Sequence, residues 1–289
     1  MLAVGEVLFD VIEGENKLGG APFNVAAHLA RLGHQSFILS AIGTDQLGDQ
    51  ILTEAADLKV STELIHRNPH KPTGTVQVQF ADGEPQYDII ENVAWDELQV
   101  DFEKVRERQW EIVVFGSLAQ RSSHNRLFFE KLFDHLSVRW PYFDCNLRQN
   151  YYDQKLLERS FHWAKICKFN EHELNLSSKL LYGRNLDARD FASRLNRDFE
   201  VELVVYTWGK DGSRAWYQDE MYVQSSEKIK VADTIGAGDA FNAGFLHSWI
   251  SENNVQEALK LGNKLGGFVA SHTGAIPRYT PEILAALEK

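Results

Sequence analysis

Two rhythms of apolar residues run through this chain. Short, nearly continuous apolar stretches at residues 1–11, 37–42, 112–115, 141–146, 165–169 and 203–207 predict buried strands. The first is interrupted by Gly5 and Glu6 and carries Asp10 near its end. Between them lie segments whose apolar positions recur every three or four residues, as in helices. Residues 18–33 have Pro22 for a first turn, Val25, Ala26, Leu29, Ala30 and Leu32 for an apolar face, and Gly33 as the stop. Residues 45–58, the segment after Asp233 and residues 255–271 read the same way. Alternation of this kind predicts an α/β fold, a mostly parallel sheet with helices on both faces and ligands at the C-terminal ends of the strands. One segment departs from it. Val76, Val78 and Phe80 alternate with Thr75, Gln77 and Gln79, and Asp82-Gly83 then turns the chain into residues 86–91, a hairpin with one wet face. Residues 213–223 read as a second hairpin, at a sheet edge.

A length of 289 residues allows one large α/β domain or two smaller ones, and 44% hydrophobic with 25% charged residues is ordinary for a globular protein. No apolar run approaches the roughly 18 residues of a membrane span, and the sequence opens directly on a strand pattern, so a cytoplasmic protein without a membrane partner is expected. The formal charge of −11 argues against nucleic acid as a partner. Cys145 and Cys167 sit in apolar stretches without metal spacing and read as core thiols of a reducing compartment.

The chemistry centres on residues 233–241, Asp-Thr-Ile-Gly-Ala-Gly-Asp-Ala-Phe, just before a helical pattern. Gly236 and Gly238 let the backbone turn and leave amides uncovered where a helix begins, a setting that binds anions. Asp239 in that first turn would repel a phosphate, so its presence needs a reason. Phosphoryl transfer supplies one: the Gly236, Ala237 and Gly238 amides hold the transferred group, while the carboxylate takes the proton of an attacking hydroxyl. Near the other end, Gly19 and Gly20 permit close backbone approach to a ligand, and Asn24, a turn into its helix, offers the donor and acceptor that suit a polyol.

The run Gly-Gly-Ala-Pro-Phe-Asn-Val-Ala from Gly19 and the run from Asp233 to Phe241 resemble the two signatures of the ribokinase-like (PfkB) sugar kinases, in the same order and more than 200 residues apart. The resemblance covers nearly the whole chain. It implies a single ribokinase-like domain over residues 1–289, with lid strands inserted at about 11–18 and 59–95 that cover the sugar and in many members pair as a homodimer contact. Gln77, Gln79 and Tyr87 would then be candidates to touch substrate. It implies ATP and a sugar as ligands, with Asp10, Gly19, Gly20, Asn24 and Arg148 on the sugar. Arg148 follows Asp144-Cys145-Asn146, which is similar to the family's Asp-Pro-Asn-x-Arg strand end with cysteine in place of proline. Asn170 and Glu173 resemble the Asn-x-x-Glu motif, whose glutamate influences Mg²⁺ largely through water; they also read as an N-cap and its capping-box partner. Thr207, Gly209 and Gly212 match the segment near the nucleotide phosphates, and Asn263 with Gly267 the adenine pocket. Asp233, Ile235 and Gly274 correspond to a monovalent-cation site present in several relatives, so K⁺ is an open expectation. Fructose is the first expected substrate, from residues 5–10 and 115–121, with ribose, 2-keto-3-deoxygluconate and nucleosides as alternatives. A dinucleotide-binding dehydrogenase fits poorly, because residues 236–241 lack the third glycine and the acidic ribose ligand. A P-loop kinase lacks its motif, and a non-catalytic sugar-binding protein requires Asp239 to be idle.

Overall fold

The computed structural model describes residues 1–12, 14–81 and 84–287. It forms two compact units, residues 1–109 with 119–137 and residues 110–118 with 138–289.

In the first unit, β1 (Leu2–Val4), β4 (Ser36–Gly43) and β5 (Val60–Asn68) pair in parallel, and all eight residues of β4 are buried. A separate four-stranded sheet has the order β3-β2-β6-β7, built from β2 (Leu8–Ile12), β3 (Glu15–Gly19), β6 (Gly74–Ala81) and β7 (Glu84–Ile89). Its two hairpins are antiparallel, and β2 joins them by running parallel to β6. The helices are α1 (Ala21–Arg31), α2 (Gln46–Asp57), α3 (Phe102–Arg106) and α4 (Ser123–His135). Residues 22–30 of α1 are all buried, His28 included, so this helix is enclosed rather than apolar on one face alone.

Two expectations are corrected here. Residues 1–11 are not one strand: the chain leaves β1 at Gly5, whose N–H donates to Leu39 O at 3.1 Å, and β2 begins at Leu8 in the other sheet. Asp10 therefore sits in the middle of β2, opposite Lys17 on one side and Val76 on the other, and not near the end of the first parallel strand. The segment at about 59–95 also divides, because β5 pairs with β4 and only β6 and β7 enter the small sheet. The Asp82-Gly83 turn lies outside the described residues, as do the side chains of Gln79 and Tyr87.

In the second unit the strand order is β13-β12-β11-β10-β9-β8. β8 (Gln109–Gly116), β9 (Ser137–Asp144), β10 (Ile166–Asn170) and β11 (Leu203–Thr207) precede an edge hairpin, β12 (Ser213–Tyr217) and β13 (Glu220–Gln224). β9, β10 and β11 pair in parallel, and β11, β12 and β13 antiparallel. The helices are α5 (Gln154–Trp163), α6 (Glu171–Tyr182), α7 (Ala188–Phe199), α8 (Ala237–Glu252), α9 (Val255–Ala270) and α10 (Pro281–Leu287). Phe143 of β9, Phe161 of α5, Phe169 of β10 and Phe191 of α7 meet edge to face at 5.1–6.3 Å between ring centres, which locks two helices onto one face of these strands. Cys145 and Cys167 are free and buried, and burial pushes both thiols up, away from reactivity.

Candidate active site

Helix entrances separate the two motifs from the rest of the chain. In α2, α3, α4, α5, α6, α7 and α9 an Asp, Ser or Asn side chain accepts a first-turn N–H, as Asp45 does from Gly48 at 2.9 Å. The N-caps of α1 and α8 are Gly20 and Gly236, with no side-chain cap. Both carry the signatures found in the sequence; at α8 the expected trio of bare amides is reduced, because the Ala237 N–H donates to Thr234 O at 3.2 Å.

At the α8 entrance Gly236 has φ +75°, and a Cβ there would fall 2.5 Å from Ala275 Cβ. The neighbouring loop is fastened by Asp233, whose carboxylate accepts Ile235 N–H at 2.9 Å and Gly274 N–H at 3.1 Å. Gly238 is different: a methyl on it would first meet Lys168 Nζ, at 3.6 Å, an ordinary contact. Gly236→Ala is therefore expected to cost about 1–3 kcal/mol from left-handed strain and overlap, whereas Gly238→Ala should stay within about 0.5 kcal/mol of the parent. Paired thermal melts check this contrast. Asp239, in the first turn, is half-buried.

Behind this entrance lies a buried polar chain. Tyr142 Oη donates to Asn242 Oδ1 at 2.7 Å, Asn242 Nδ2 donates to Asp144 Oδ2 at 2.8 Å, and Lys168 Nζ donates to Asp144 Oδ1 at 3.1 Å. Every member is buried. Burial alone would lower the Lys168 pKa, but Asp144 and Glu173 outweigh it and hold the ammonium well above the ordinary lysine range, with Asp239 adding to the effect. Lys168 is thus a cation at neutral pH. Burial raises Glu173, an effect Lys168 opposes and Asp144 reinforces.

Asn170 and Glu173 form a reciprocal capping box: Asn170 N–H donates to Glu173 Oε2 at 2.8 Å, and Glu173 N–H to Asn170 Oδ1 at 2.9 Å. The dual reading of this pair resolves to a structural contact that still leaves Glu173 Oε1 for another role. Arg148 is exposed just beyond β9, where Ser117 Oγ donates to Asn146 O at 3.2 Å. Thr207 ends β11, and Gly209 and Gly212, at φ +58° and +114°, turn the chain into β12. Asn263 Nδ2 donates to Gln224 O at 3.0 Å, tying α9 to β13. Among the described residues no cluster of three or more His, Cys, Asp or Glu could hold a metal ion.

At the α1 entrance, in the first unit, Gly20 has φ +106° and a Cβ on it would fall 2.5 Å from Glu6 O. A Cβ on Gly19 would approach Asp10 Oδ2 to 2.8 Å, so Gly19 makes room for the Asp10 carboxylate. Asn24 is buried in α1, its N–H donating to Gly20 O at 2.8 Å.

Lys168 and Asn242 were not singled out from the sequence, and Asp144 was named only as part of a motif. Signals existed: a lysine inside the apolar Ile-Cys-Lys-Phe run of β10, and an asparagine one turn beyond Asp239 in an otherwise apolar helix.

The α8 entrance thus has a glycine cap, an acid in its first turn and a buried cation beside it. Residues 3–282 match the pfkB family carbohydrate kinase family, and the chain belongs to it. It is a sugar kinase with the ribokinase-like α/β fold: a large, mostly parallel sheet with helices, and a separate small β-sheet. The chain is 30% identical over 290 residues to a Pyrococcus horikoshii protein described as "Putative sugar kinase PH1459", covering 93% of this chain and 88% of that one. It is 29% identical to a fructokinase of Salmonella typhimurium, covering 94% of each. The crystal structure of PH1459 in complex with ATP superposes with a TM-score of 0.82 at 27% identity, over 96% of this chain and 95% of the other. No helix among the described residues is long and apolar enough to cross a membrane.

Proposed function

We propose that the protein transfers the γ-phosphoryl group of ATP to a sugar hydroxyl, with fructose as the first substrate. The observation that carries this reading is Asp239 in the first turn of a helix whose entrance has no side-chain cap. A carboxylate there opposes anion binding unless it is needed to accept a proton. The 29% identity to the Salmonella typhimurium fructokinase supports the choice of sugar.

Asp239 takes the hydroxyl proton as the oxygen attacks phosphorus, and the bond to ADP breaks with its electrons leaving on ADP. The N–H groups at Gly236 and Gly238 hold the charge on the transferring group, a role in which one donor is worth about 3 kcal/mol, while that of Ala237 is already given to Thr234 O. Asp10, Gly19, Gly20, Asn24 and Arg148 hold the sugar. The room that Gly19 leaves at Asp10 Oδ2 supports this, because a carboxylate can accept hydrogen bonds from two hydroxyls. Thr207, Gly209, Gly212 and Asn170 serve the phosphates. Asn263 serves the adenine through Oδ1, its Nδ2 being given to Gln224. Mg²⁺ would enter with ATP, and Glu173 Oε1 is the group that would hold it, through water. Its contribution when bound is to neutralise phosphate charge. A monovalent cation would rest on backbone carbonyls near Asp233, Ile235 and Gly274, since the Asp233 carboxylate already accepts two N–H groups. The small sheet covers the sugar and offers a face for a second copy.

Release of ADP measured against fructose, ribose, 2-keto-3-deoxygluconate and a nucleoside tests the reading; fructose should give the highest kcat/KM, and no sugar-dependent release would overturn it. Asp10→Ala is expected to raise the sugar KM by about 10–100-fold, the loss of one or two charge-assisted hydrogen bonds, with the ATP KM within about twofold. A change confined to ATP would instead place Asp10 at the nucleotide.

A further inference from the structure

Lys168 is the one buried lysine among the described residues. Long cationic side chains are seldom enclosed without a task, and an ion pair with Asp144 is a weak one, since buried pairs are often replaced by apolar residues without loss. Its placement is also unfavourable in the protein alone. The ammonium borders Gly238 in the first turn of α8, where the helix dipole repels a cation. It has three N–H groups and donates one, to Asp144 Oδ1. Asp144 is itself fixed from the other side by Asn242, and Asn242 by Tyr142, so the ammonium is held by a directed chain with no slack. Asn242 lies three residues beyond Asp239 on α8, one turn deeper, which makes the same helix the support of both groups.

We propose that Lys168 is a further catalytic residue: its ammonium donates to a non-bridging oxygen of the phosphoryl group as that group passes the α8 entrance, with Asp144 and Asn242 as positioning residues. This rests on the phosphoryl-transfer reading of the same entrance. The anion cancels the repulsion between cation and helix end. In the step itself the substrate O–P bond forms, the bond from phosphorus to the ADP oxygen breaks, the hydroxyl proton goes to Asp239, and Lys168 keeps its own proton throughout. Charge moves past a fixed donor that needs no rearrangement, the arrangement that favours the transition state most.

The test compares Lys168→Met with Lys168→Met/Asp144→Asn, in which the buried carboxylate is neutralised. Lys168→Met is expected to lower kcat about 10²–10³-fold with the sugar KM within about threefold, and to lower the melting temperature because Asp144 is left uncompensated. The double variant should regain melting temperature without regaining kcat. If both return together, Lys168 served only to balance Asp144 and the proposal fails. Should either protein be too unstable to assay, Lys168→Gln/Asp144→Asn replaces it. Calorimetry supplies a second readout: Lys168→Met should weaken a non-hydrolysable ATP analogue at least about tenfold more than ADP, whereas equal weakening of the two would overturn the contact. The parent enzyme in the same ADP-release assay separates the two readings. No sugar-dependent turnover there would overturn the phosphoryl-transfer assignment, and normal turnover with kcat unchanged in Lys168→Met would overturn Lys168 alone.

Discussion

Asp239→Asn is expected to lower kcat by about 10²–10⁴-fold, the span of a general base, while the KM values for sugar and ATP change by less than about threefold. Asparagine keeps the size of the side chain and its place in the first turn of α8, so the helix should form as before. Lys168 loses one of the anions that hold it charged but keeps Asp144, its hydrogen-bond partner, and Glu173. Removal of a negative charge from a helix N-terminus should, if anything, favour an incoming phosphate. A fall in kcat with intact or improved nucleotide binding is therefore the signature of a lost proton acceptor. A variant that turns over within a few-fold of the parent would remove Asp239 from that role and leave proton acceptance to another group or to water.

The second large effect concerns Arg121, in the stretch at residues 115–121 that suggested a fructokinase. Its guanidinium is 4% exposed and makes a forked pair with Asp96, Nε to Oδ1 at 2.7 Å and Nη2 to Oδ2 at 2.9 Å. It also donates to Ile89 O and Ile90 O, where β7 ends, and its Cζ stacks 3.9 Å from the centre of the Trp95 ring. Arg121→Met should cost about 3–5 kcal/mol, because the buried Asp96 carboxylate keeps its burial and loses its partner. Denaturant titration measures this. Arg121→Met/Asp96→Asn should recover part of the loss, which a mere packing role for Arg121 would not allow. At Arg121 this stretch thus carries a device that anchors the small sheet's exit.

Alternating apolar runs announced the sheet and its helices because burial on both faces removes polar residues from strands such as β4. The edge hairpin of β12 and β13 and the small sheet's β6 and β7 were legible from their period of two. The break between β1 and β2 showed only as the interruption at Gly5 and Glu6, which did not reveal a change of sheet because Gly5, Glu6 and Val7 are all buried like the strand residues around them. In the candidate site, glycines and Asp239 could be read because their chemistry is local to one helix entrance. The chain from Tyr142 to Lys168 could not, because Tyr142 and Asn242 are 100 residues apart and become partners only when α8 packs on β9. Asn170 and Glu173 were legible as a capping box, because N-cap and N3 lie three residues apart in the sequence.

The glycine caps of α1 and α8 have a thermodynamic corollary. A side-chain cap is worth about 0.5–2 kcal/mol to a helix, and the entrances of α1 and α8 have none. On the proposed function, bound substrate acts as a missing piece of secondary structure, and occupancy should be readable as heat resistance, since a ligand present at 100 times its Kd adds about 2.7 kcal/mol. A melting curve run against a shelf of sugars and nucleotides becomes a direct survey of what these two helix ends were left open to receive.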